Sequence, residues 1–382
     1  MRKVDSNFKS TGSCLFLIFC ALGVGSSCST LAKRNDTGVV VASRAEIRSS
    51  TAVVAADLLK VNRGDLVDIL DAQDVQDPTD NTKKERWLRV RANDEDNTEG
   101  WIESRNVMPD EVLQNSKKLA EEDKDVPTQA SGQLRASSNL RLSPDRTGNE
   151  NIMMRLDSGS SFDIVGWKRV PKPKSSEEIE SDVAPKAGSA QPGTLRVKGD
   201  QENQPEEANE LWYKVRLPSS ISPAPAGWIY GKQVELKVPS DIIFYRTGRE
   251  FVAWQRLDGE ATDPEGAKSK DAARDGKPGS WVILEKSSSN QPRSIDEPDF
   301  DRIYVLGYDK RDQEHYTAYR SPDLKGYLPF RVDGRPDSRT FTIRVLDESG
   351  QVKDVQYSVY KDARGYLKVS APGGGRENEK KK

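Results

Sequence analysis

One block of sequence occurs twice along this 382-residue chain, with its parts in the same order. From the N-terminal side, residues 47–49 match 140–142, 58–70 match 153–165, 86–91 match 211–216, and 100–102 match 227–229. The longest of these matches needs no gap. Self-similarity of this kind predicts two copies of one structural module, so any fold suggested for one copy must also suit the other.

Each copy consists of short runs of β-branched and aromatic residues, separated by Gly, Asn, Asp and Pro. Such runs predict short strands joined by tight turns, which is the pattern of a small all-β barrel. Strand alternation places Leu88 and Val90 in the interior of the first copy, and Tyr213 and Val215 in the interior of the second.

Each copy contains, in the same order, an Ile/Leu-Arg start, a polar-Gly turn, a Trp-x-x-Val strand and a Gly-Trp-Ile strand. This order resembles that of the bacterial SH3 (SH3b) family. The resemblance covers residues 37–109 and 131–237. It implies two SH3-like barrels that bind ligands, often peptidoglycan or peptide stems at the cell envelope, and that have no catalytic residues.

The same alternation turns an aromatic residue and two cations outward in each copy. An exposed indole can stack on a sugar or a peptide while a cation pairs with a carboxylate, so we expect these residues to contact the ligand. The candidates are Trp87, Arg89 and Arg91 in the first copy and Trp212, Lys214 and Arg216 in the second. The alternative is that each Trp packs beneath a neighbouring loop or domain.

The second copy carries an insertion, residues 168–210, that is rich in Pro, Ser and Glu and lacks apolar periodicity. This composition predicts a disordered segment. A shorter equivalent, residues 71–85, occurs in the first copy. The two copies therefore differ mainly in the length of this loop.

The N-terminus has the three parts of a secretory signal over residues 1–27. Arg2, Lys3 and Lys9 precede an apolar run, residues 14–24, and small residues follow. The run is shorter than the roughly 20 residues that a membrane-spanning helix needs. A cleaved signal peptide is therefore the prediction.

Gly25-Ser26-Ser27-Cys28 resembles the bacterial lipobox, although Gly25 stands where Leu is usual. The resemblance implies cleavage before Cys28 and lipidation of its sulfur, which would anchor the chain to a membrane through a tether, residues 28–36. All three cysteines lie at or before residue 28, so the mature chain keeps no thiol pair for a disulfide. Ser29, which is not Asp, implies sorting to the outer membrane, facing the periplasm. The alternative is a simple signal peptide with an incidental cysteine.

The remaining segments connect and extend the two copies. Residues 110–130 predict a helical linker that starts after Pro109, and a similar helix start follows Pro239. Residues 240–371 predict a mainly antiparallel β-rich domain, with strand candidates at 281–284, 302–306, 315–319, 341–345 and 357–360. The motifs Phe300-Asp301-Arg302-Ile303, Tyr316-Thr317-Ala318-Tyr319-Arg320 and Gly326-Tyr327-Leu328-Pro329 resemble a C-terminal module of acidobacterial envelope proteins that carry SH3 domains. Residues 372–382 predict a disordered basic tail.

The sequence gives little support for a catalytic site, a metal site or nucleic-acid binding. His315 is the single histidine, and we expect it on the surface at a strand start. Asp296, Glu297, Asp299 and Asp301 form a weak candidate for a calcium site, but they lack the EF-hand pattern. The formal net charge of −2 gives no basic excess for nucleic acid. No cofactor is expected.

These observations predict an all-β protein with two small SH3-like barrels, a β-rich third domain and short linking helices. The function expected is that of a non-catalytic envelope lipoprotein whose barrels bind peptidoglycan or an envelope protein or peptide. One alternative is a scaffold subunit without affinity for the cell wall. The other is a hydrolase that uses His315 with the acidic cluster at Asp301.

Overall fold

The computed structural model describes residues 36–76, 84–173, 209–258, 277–289, 293–335 and 338–372. Several predicted segments lie outside these residues: the signal peptide, Cys28 and almost all of the tether, most of the insertion, and the basic tail beyond residue 372. Within the described residues the chain is built almost entirely from antiparallel strands, so the all-β prediction is confirmed.

The first barrel is a curled sheet of seven strands in the order β3-β2-β6-β5-β4-β1-β7. Its strands are β1 (Asp36–Val40), β2 (Arg44–Arg48), β3 (Asp57–Asn62), β4 (Leu66–Gln76), β5 (Lys84–Ala92), β6 (Glu99–Glu103) and β7 (Val107–Pro109). A single turn of 3₁₀ helix, Ser104–Asn106, precedes the last strand. Leu88 and Val90 fill the interior, as the alternation predicts.

The second barrel repeats this topology strand for strand, in the order β10-β9-β13-β12-β11-β8-β14. Its strands are β8 (Ala130–Leu134), β9 (Ser138–Arg141), β10 (Ile152–Leu156), β11 (Ser161–Pro171), β12 (Asn209–Arg216), β13 (Ala226–Tyr230) and β14 (Val234–Leu236). A 3₁₀ turn, Gly231–Gln233, again precedes the last strand. Tyr213 and Val215 lie in the core, also as predicted.

The repeated glycine of each Gly-Trp-Ile motif marks a close contact between strands. A Cβ atom on Gly100 would lie 2.5 Å from the carbonyl oxygen of Arg48, and one on Gly227 would lie 2.5 Å from the side chain of Met153. Both distances are shorter than real contacts. A backbone carbonyl cannot move aside, whereas the flexible side chain of Met153 can shift, so the first barrel requires the glycine more strictly than the second.

Helix α1 (Asp110–Glu122) joins the barrels and begins directly after Pro109. Asp110 and Glu111 occupy its first turn, where negative charge favours the helix dipole. Its buried face includes Leu113 and Ser116, and the Ser116 hydroxyl donates a 2.6 Å hydrogen bond to the carbonyl of Ala226 in the second barrel. The predicted linker helix is thus present. The second predicted helix start yields only a 3₁₀ turn, Ile243–Tyr245.

The C-terminal part is a sandwich of two four-stranded antiparallel sheets that share one apolar core. The first sheet contains β15 (Arg249–Arg256), β16 (Trp281–Ser287), β17 (Arg302–Asp309) and β18 (Glu314–Arg320). The second contains β19 (Gly326–Arg335), β20 (Ser338–Leu346), β21 (Val352–Lys361) and β22 (Leu367–Ser370). Five of these strands, β16, β17, β18, β20 and β21, contain the runs that suggested a β-rich domain.

The second barrel packs directly on this C-terminal sandwich. One apolar core includes Ile164 and Val215 of the barrel together with Trp254 and Ile283 of the first sandwich sheet. Gln129, fully buried, fastens the contact: its side chain donates to the carbonyl of Phe330 at 3.0 Å and accepts from the Phe330 N–H at 2.8 Å. The first barrel has a core of its own, but its Val39 and Met108 also belong to the core that the second barrel shares with the sandwich.

Two boundaries drawn from the sequence need correction. Strand β11 runs to Pro171 and β12 begins at Asn209, so both margins of the segment 168–210 form paired strand and are not disordered. The reason is that Arg169 and Val170 pair with Leu211 and Glu210 across the hairpin.

No helix in the part of the chain that the structure describes is long and apolar enough to cross a membrane.

Candidate functional site

The outer face of β5 in the first barrel carries two of the expected cations, Arg89 and Arg91, with exposed side chains. Arg89 donates to Glu99 at 3.0 Å and Arg91 donates to the same carboxylate at 2.6 Å, across to the neighbouring strand β6. The hydrogen bond from Arg91 is the main reason that the pKa of Glu99 is lowered. Trp87 is only 5% exposed and lies under the Arg48 guanidinium, 6.0 Å from ring to cation. The expected exposure of Trp87 is therefore wrong.

The corresponding face of β12 in the second barrel is covered. Lys214 pairs with Glu122 at 2.9 Å and with Asp123 at 2.5 Å, and Arg216 donates to the carbonyls of Asp123 and Val126. Burial by itself lowers the pKa of Lys214, but the hydrogen bonds to Asp123 and Glu122 raise it overall. These two cations hold the end of α1 and the linker that follows it.

Trp212 also departs from the expectation of an exposed indole. It is fully buried and packs against Tyr230, with 5.6 Å between the ring centroids. Its indole N–H has no hydrogen-bond partner among the described residues. The alternation rule placed Trp212 correctly on the face opposite Tyr213, but residues beyond the strand cover that face, so it offers no stacking surface.

The acidic candidates for a calcium site are engaged with other protein groups. Glu297 pairs with Lys286 at 2.8 Å, and Asp301 pairs with Arg249 and accepts from the N–H of Ser287 at 2.9 Å. Asp299 accepts from the Trp167 indole at 2.6 Å. Asp296 is exposed. No group of potential metal ligands occurs within the described residues, so the structure gives this cluster no metal site.

His315 is not a surface residue, because its side chain is only 6% exposed. Its Nε2 atom lies 2.8 Å from the carbonyl oxygen of Gly279 and 3.6 Å from a carboxylate oxygen of Asp241. Tyr245 packs edge-on against the imidazole ring, and Tyr308 packs against it at a tilt. The surroundings of His315 are therefore a packed joint next to the sandwich.

A pocket of about 440 Å³ opens at one end of the second barrel, beside the β9–β10 loop, which we call loop two (residues 142–151). Loop two forms one wall, and the arms of the β11–β12 hairpin form the other. The lining residues are Pro144, Asp145, Arg146, Thr147, Val170, Pro171, Lys172, Pro173 and Glu210.

A buried ion pair closes the base of this pocket. Arg146 binds Glu210 through two hydrogen bonds of 3.0 and 2.5 Å, and the two side chains are only 6% and 3% exposed. The Arg146 guanidinium also lies over the Tyr230 ring, 4.2 Å from its centroid. A bidentate pair stacked on an aromatic ring fixes loop two against the barrel, so the pocket has a rigid floor.

The walls of the pocket are stiffened by their own residues. Three prolines stiffen them, and within loop two the Thr147 N–H and hydroxyl both donate to Asp145, which lowers the pKa of Asp145. The volume falls in the usual range for small-ligand pockets. Arg146 and Glu210 were not among the sequence candidates. Pro171 and Pro173, at the start of the insertion, were visible in the sequence but were interpreted as signs of disorder.

The loop in the first barrel that corresponds to loop two is residues 49–56, which we call loop one. Arg48, the counterpart of Arg141, donates to the carbonyls of Val53 and Ala55 at 2.7 and 3.2 Å. Arg141 makes the equivalent bond to the carbonyl of Gly148 at 2.7 Å. Both loops are thus braced by the repeated arginine, although their sequences differ.

No family model and no curated protein matches this chain. Among solved structures, it is similar to NlpC2 from Trichomonas vaginalis, with 10% identity over 88% of this chain and 96% of that chain, and a TM-score of 0.15. NlpC1 from the same organism is also 10% identical, over 92% and 99% of the two chains, with a TM-score of 0.15. Likenesses at this level carry no argument about fold or function.

Proposed function

We propose that this protein is a non-catalytic binding protein of the bacterial cell envelope, anchored through lipidated Cys28. Its SH3-like barrels would bind peptidoglycan or an envelope protein or peptide. The observation that carries the proposal is the rigid pocket between loop two and the hairpin arms, in a module that the chain contains twice. The lipobox-like sequence before Cys28 supports the anchor.

The pocket is a better candidate for the binding site than the outer strand faces. Of the residues first expected to contact ligand, Trp87 and Trp212 are buried, and Lys214 and Arg216 are engaged with α1 and its linker. Arg89 and Arg91 are partly exposed but lie on an outer strand face and pair with Glu99. The pocket instead combines prolines, a hydroxyl and charged groups in a concave surface that is already formed. Preformed concave sites bind with less loss of conformational entropy than flat or mobile surfaces do.

The test is a pull-down of residues 29–382 on insoluble peptidoglycan, with a Thr147→Trp, Lys172→Glu double variant that fills the pocket and reverses a charge at its wall. Thr147 is exposed, so the fold should tolerate the larger ring. Because the ring and the new charge remove shape and charge complementarity together, we expect binding to fall at least about tenfold.

The matched control is Lys232→Glu, which makes the same charge change at an exposed position on the 3₁₀ turn of the second barrel. This control should bind like the wild type, and circular dichroism should show that both variants are folded. If the wild type itself does not bind peptidoglycan, the cell-wall ligand is wrong. A photo-crosslinker at Thr147 would then identify whether a protein or peptide occupies the pocket.

A further inference from the structure

The two walls of the pocket in the second barrel carry opposite charges. Asp145 belongs to the wall that loop two forms, and Lys172 belongs to the wall that the hairpin arms form. The other two charged residues of the lining, Arg146 and Glu210, are buried and bind each other, so their charges cancel. A ligand in the pocket therefore meets a carboxylate on one side and an ammonium on the other.

The carboxylate of Asp145 is ionised and held in a fixed orientation. Its Oδ1 atom accepts from the Thr147 N–H at 2.9 Å, and its Oδ2 atom accepts from the Thr147 hydroxyl at 3.0 Å. The bond from the Thr147 N–H is the main reason that the pKa of Asp145 is lowered, so the negative charge is present at neutral pH. A carboxylate has about four acceptor positions, and Thr147 occupies two of them, so Asp145 can also accept from a ligand.

The backbone around Lys172 is fixed along the opposite wall. Lys172 stands between Pro171 and Pro173, and a residue that precedes proline is confined to extended conformations. The paired strand runs up to Pro171, which lies opposite Asn209. Lys172 has an interaction within the chain, but an ammonium carries three N–H donors and can share one with a ligand. The backbone that carries this cation is thus in place before a ligand binds.

We propose that the pocket recognises a zwitterionic group of the amino-acid type, whose ammonium pairs with Asp145 and whose carboxylate pairs with Lys172. This inference rests on the proposed function, because it names the class of ligand that the same pocket would take. Opposite charges on facing walls favour a ligand with the matching pair of charges and disfavour a ligand with only one of them. The volume of about 440 Å³ is in the usual range for small-ligand pockets, so a short peptide with both termini free is a suitable probe.

Three dipeptides that differ by one charge test the proposal. Ala-Ala carries both charges, N-acetyl-Ala-Ala keeps only the carboxylate, and Ala-Ala-amide keeps only the ammonium. Isothermal titration calorimetry measures the Kd of each dipeptide with residues 29–382. Because a hydrogen bond to a charged group contributes more than a neutral one, we expect blocking either end to raise the Kd about tenfold.

Two variants should divide these losses between the walls. Asp145→Asn should remove the preference for Ala-Ala over N-acetyl-Ala-Ala and keep the preference over Ala-Ala-amide. Lys172→Met should have the reverse effect. Lys232→Met, at an exposed position on the 3₁₀ turn of the second barrel, is the control and should keep both preferences. A general loss of structure would weaken the binding of all three dipeptides alike, so the crossed pattern separates recognition from folding.

If the wild type binds the three dipeptides with the same Kd, or binds none of them, the zwitterionic ligand is wrong. If both variants lose both preferences, the two charges are not recognised on separate walls, which also overturns the proposal. The pull-down judges the proposed function separately, because binding to peptidoglycan that the Thr147→Trp, Lys172→Glu variant loses supports the pocket whatever the dipeptides show. Failure of the pull-down together with no crosslinked partner at Thr147 would overturn the proposed function itself.

Discussion

The two barrels have the same strand order and the same bracing arginine, yet they use their outer surfaces differently. In the first barrel Arg89 and Arg91 pair with Glu99 within the barrel, where all three side chains stay partly exposed. In the second barrel Lys214 and Arg216 reach out to α1 and its linker. The strand pattern determines which residues point outward, but the neighbouring element determines whether they meet solvent.

The loops show the same contrast. Loop two carries three charged residues, and one of them, Arg146, folds inward to the buried Glu210 and builds the floor of the pocket. Loop one carries none and presents Val53 and Val54 to the outside. The same loop position thus carries a buried ion pair in the second barrel and an exposed apolar tip in the first.

The largest expected effect comes from breaking the ion pair beneath the pocket. Arg146→Ala leaves Glu210 buried without its cation, and we expect it to lower the free energy of unfolding by about 3–5 kcal/mol. Urea denaturation followed by tryptophan fluorescence measures the loss. The matched change in the first barrel is Arg105→Ala, because Arg105 pairs with Glu103 at the surface, and no measurable loss is expected there. Similar losses in both variants would contradict a pocket floor unique to the second barrel.

A smaller effect is expected from the cation that holds α1. Lys214→Met keeps most of the side-chain packing but removes the ion pairs to Glu122 and Asp123, and it should lower the free energy of unfolding by about 1 kcal/mol. Because folding raises the pKa of Lys214, this contribution is fully present below the ordinary lysine pKa and is lost as pH rises through the raised value. Unfolding measured from pH 7 to 11 should show the wild type and Lys214→Met converging only at the alkaline end.

The counterpart in the first barrel should depend on pH in the opposite direction. Arg91 lowers the pKa of Glu99, so the stability that their pair contributes is present above the ordinary glutamate pKa and is lost as pH falls through the lowered value. Arg91→Met should therefore differ from the wild type at neutral pH and match it in acid. If the difference in unfolding free energy between Lys214→Met and the wild type were already lost between pH 7 and 9, the ion pairs of the two barrels would not differ in the direction of their pH dependence.

The smallest effect is expected at the tip of loop one. Val54→Ser removes an almost fully exposed side chain, so the free energy of unfolding should change by less than about 0.5 kcal/mol. The measurement is the same urea titration. A loss of more than about 1 kcal/mol would contradict the exposed position of Val54.

Much of the fold could be read from local sequence because repeats and alternation are local signals. The matching of residues 58–70 with 153–165 predicted two copies of one module, and the glycine of each Gly-Trp-Ile motif lies in close contact with a neighbouring strand. Strands β15, β19 and β22, in contrast, were missed, and so were the strand margins of the insertion at Pro171 and Asn209. For β15 and for the two margins, the partner strand lies across a long loop, and pairing with a strand that is distant in sequence leaves little local trace.

The binding site could not be read in the same way. Trp87 and Trp212 were correctly assigned to the outer face, but Arg48 covers one ring and Trp212 packs on Tyr230. Arg146 and Glu210 are 64 residues apart and come together only because loop two folds back over the β11–β12 hairpin. A charged residue in a loop gives no local sign that it will be buried.

The sequence by itself determined the duplicated all-β modules, the interior faces of their strands and the linker helix, since each of these follows from periodicity, turn residues and capping over a few positions. Only the tertiary structure decided which outward residues are covered and where a pocket forms. The physical reason is that burial depends on which elements pack together, and the contacts of the second barrel with α1 and with the C-terminal sandwich join residues that are far apart along the chain.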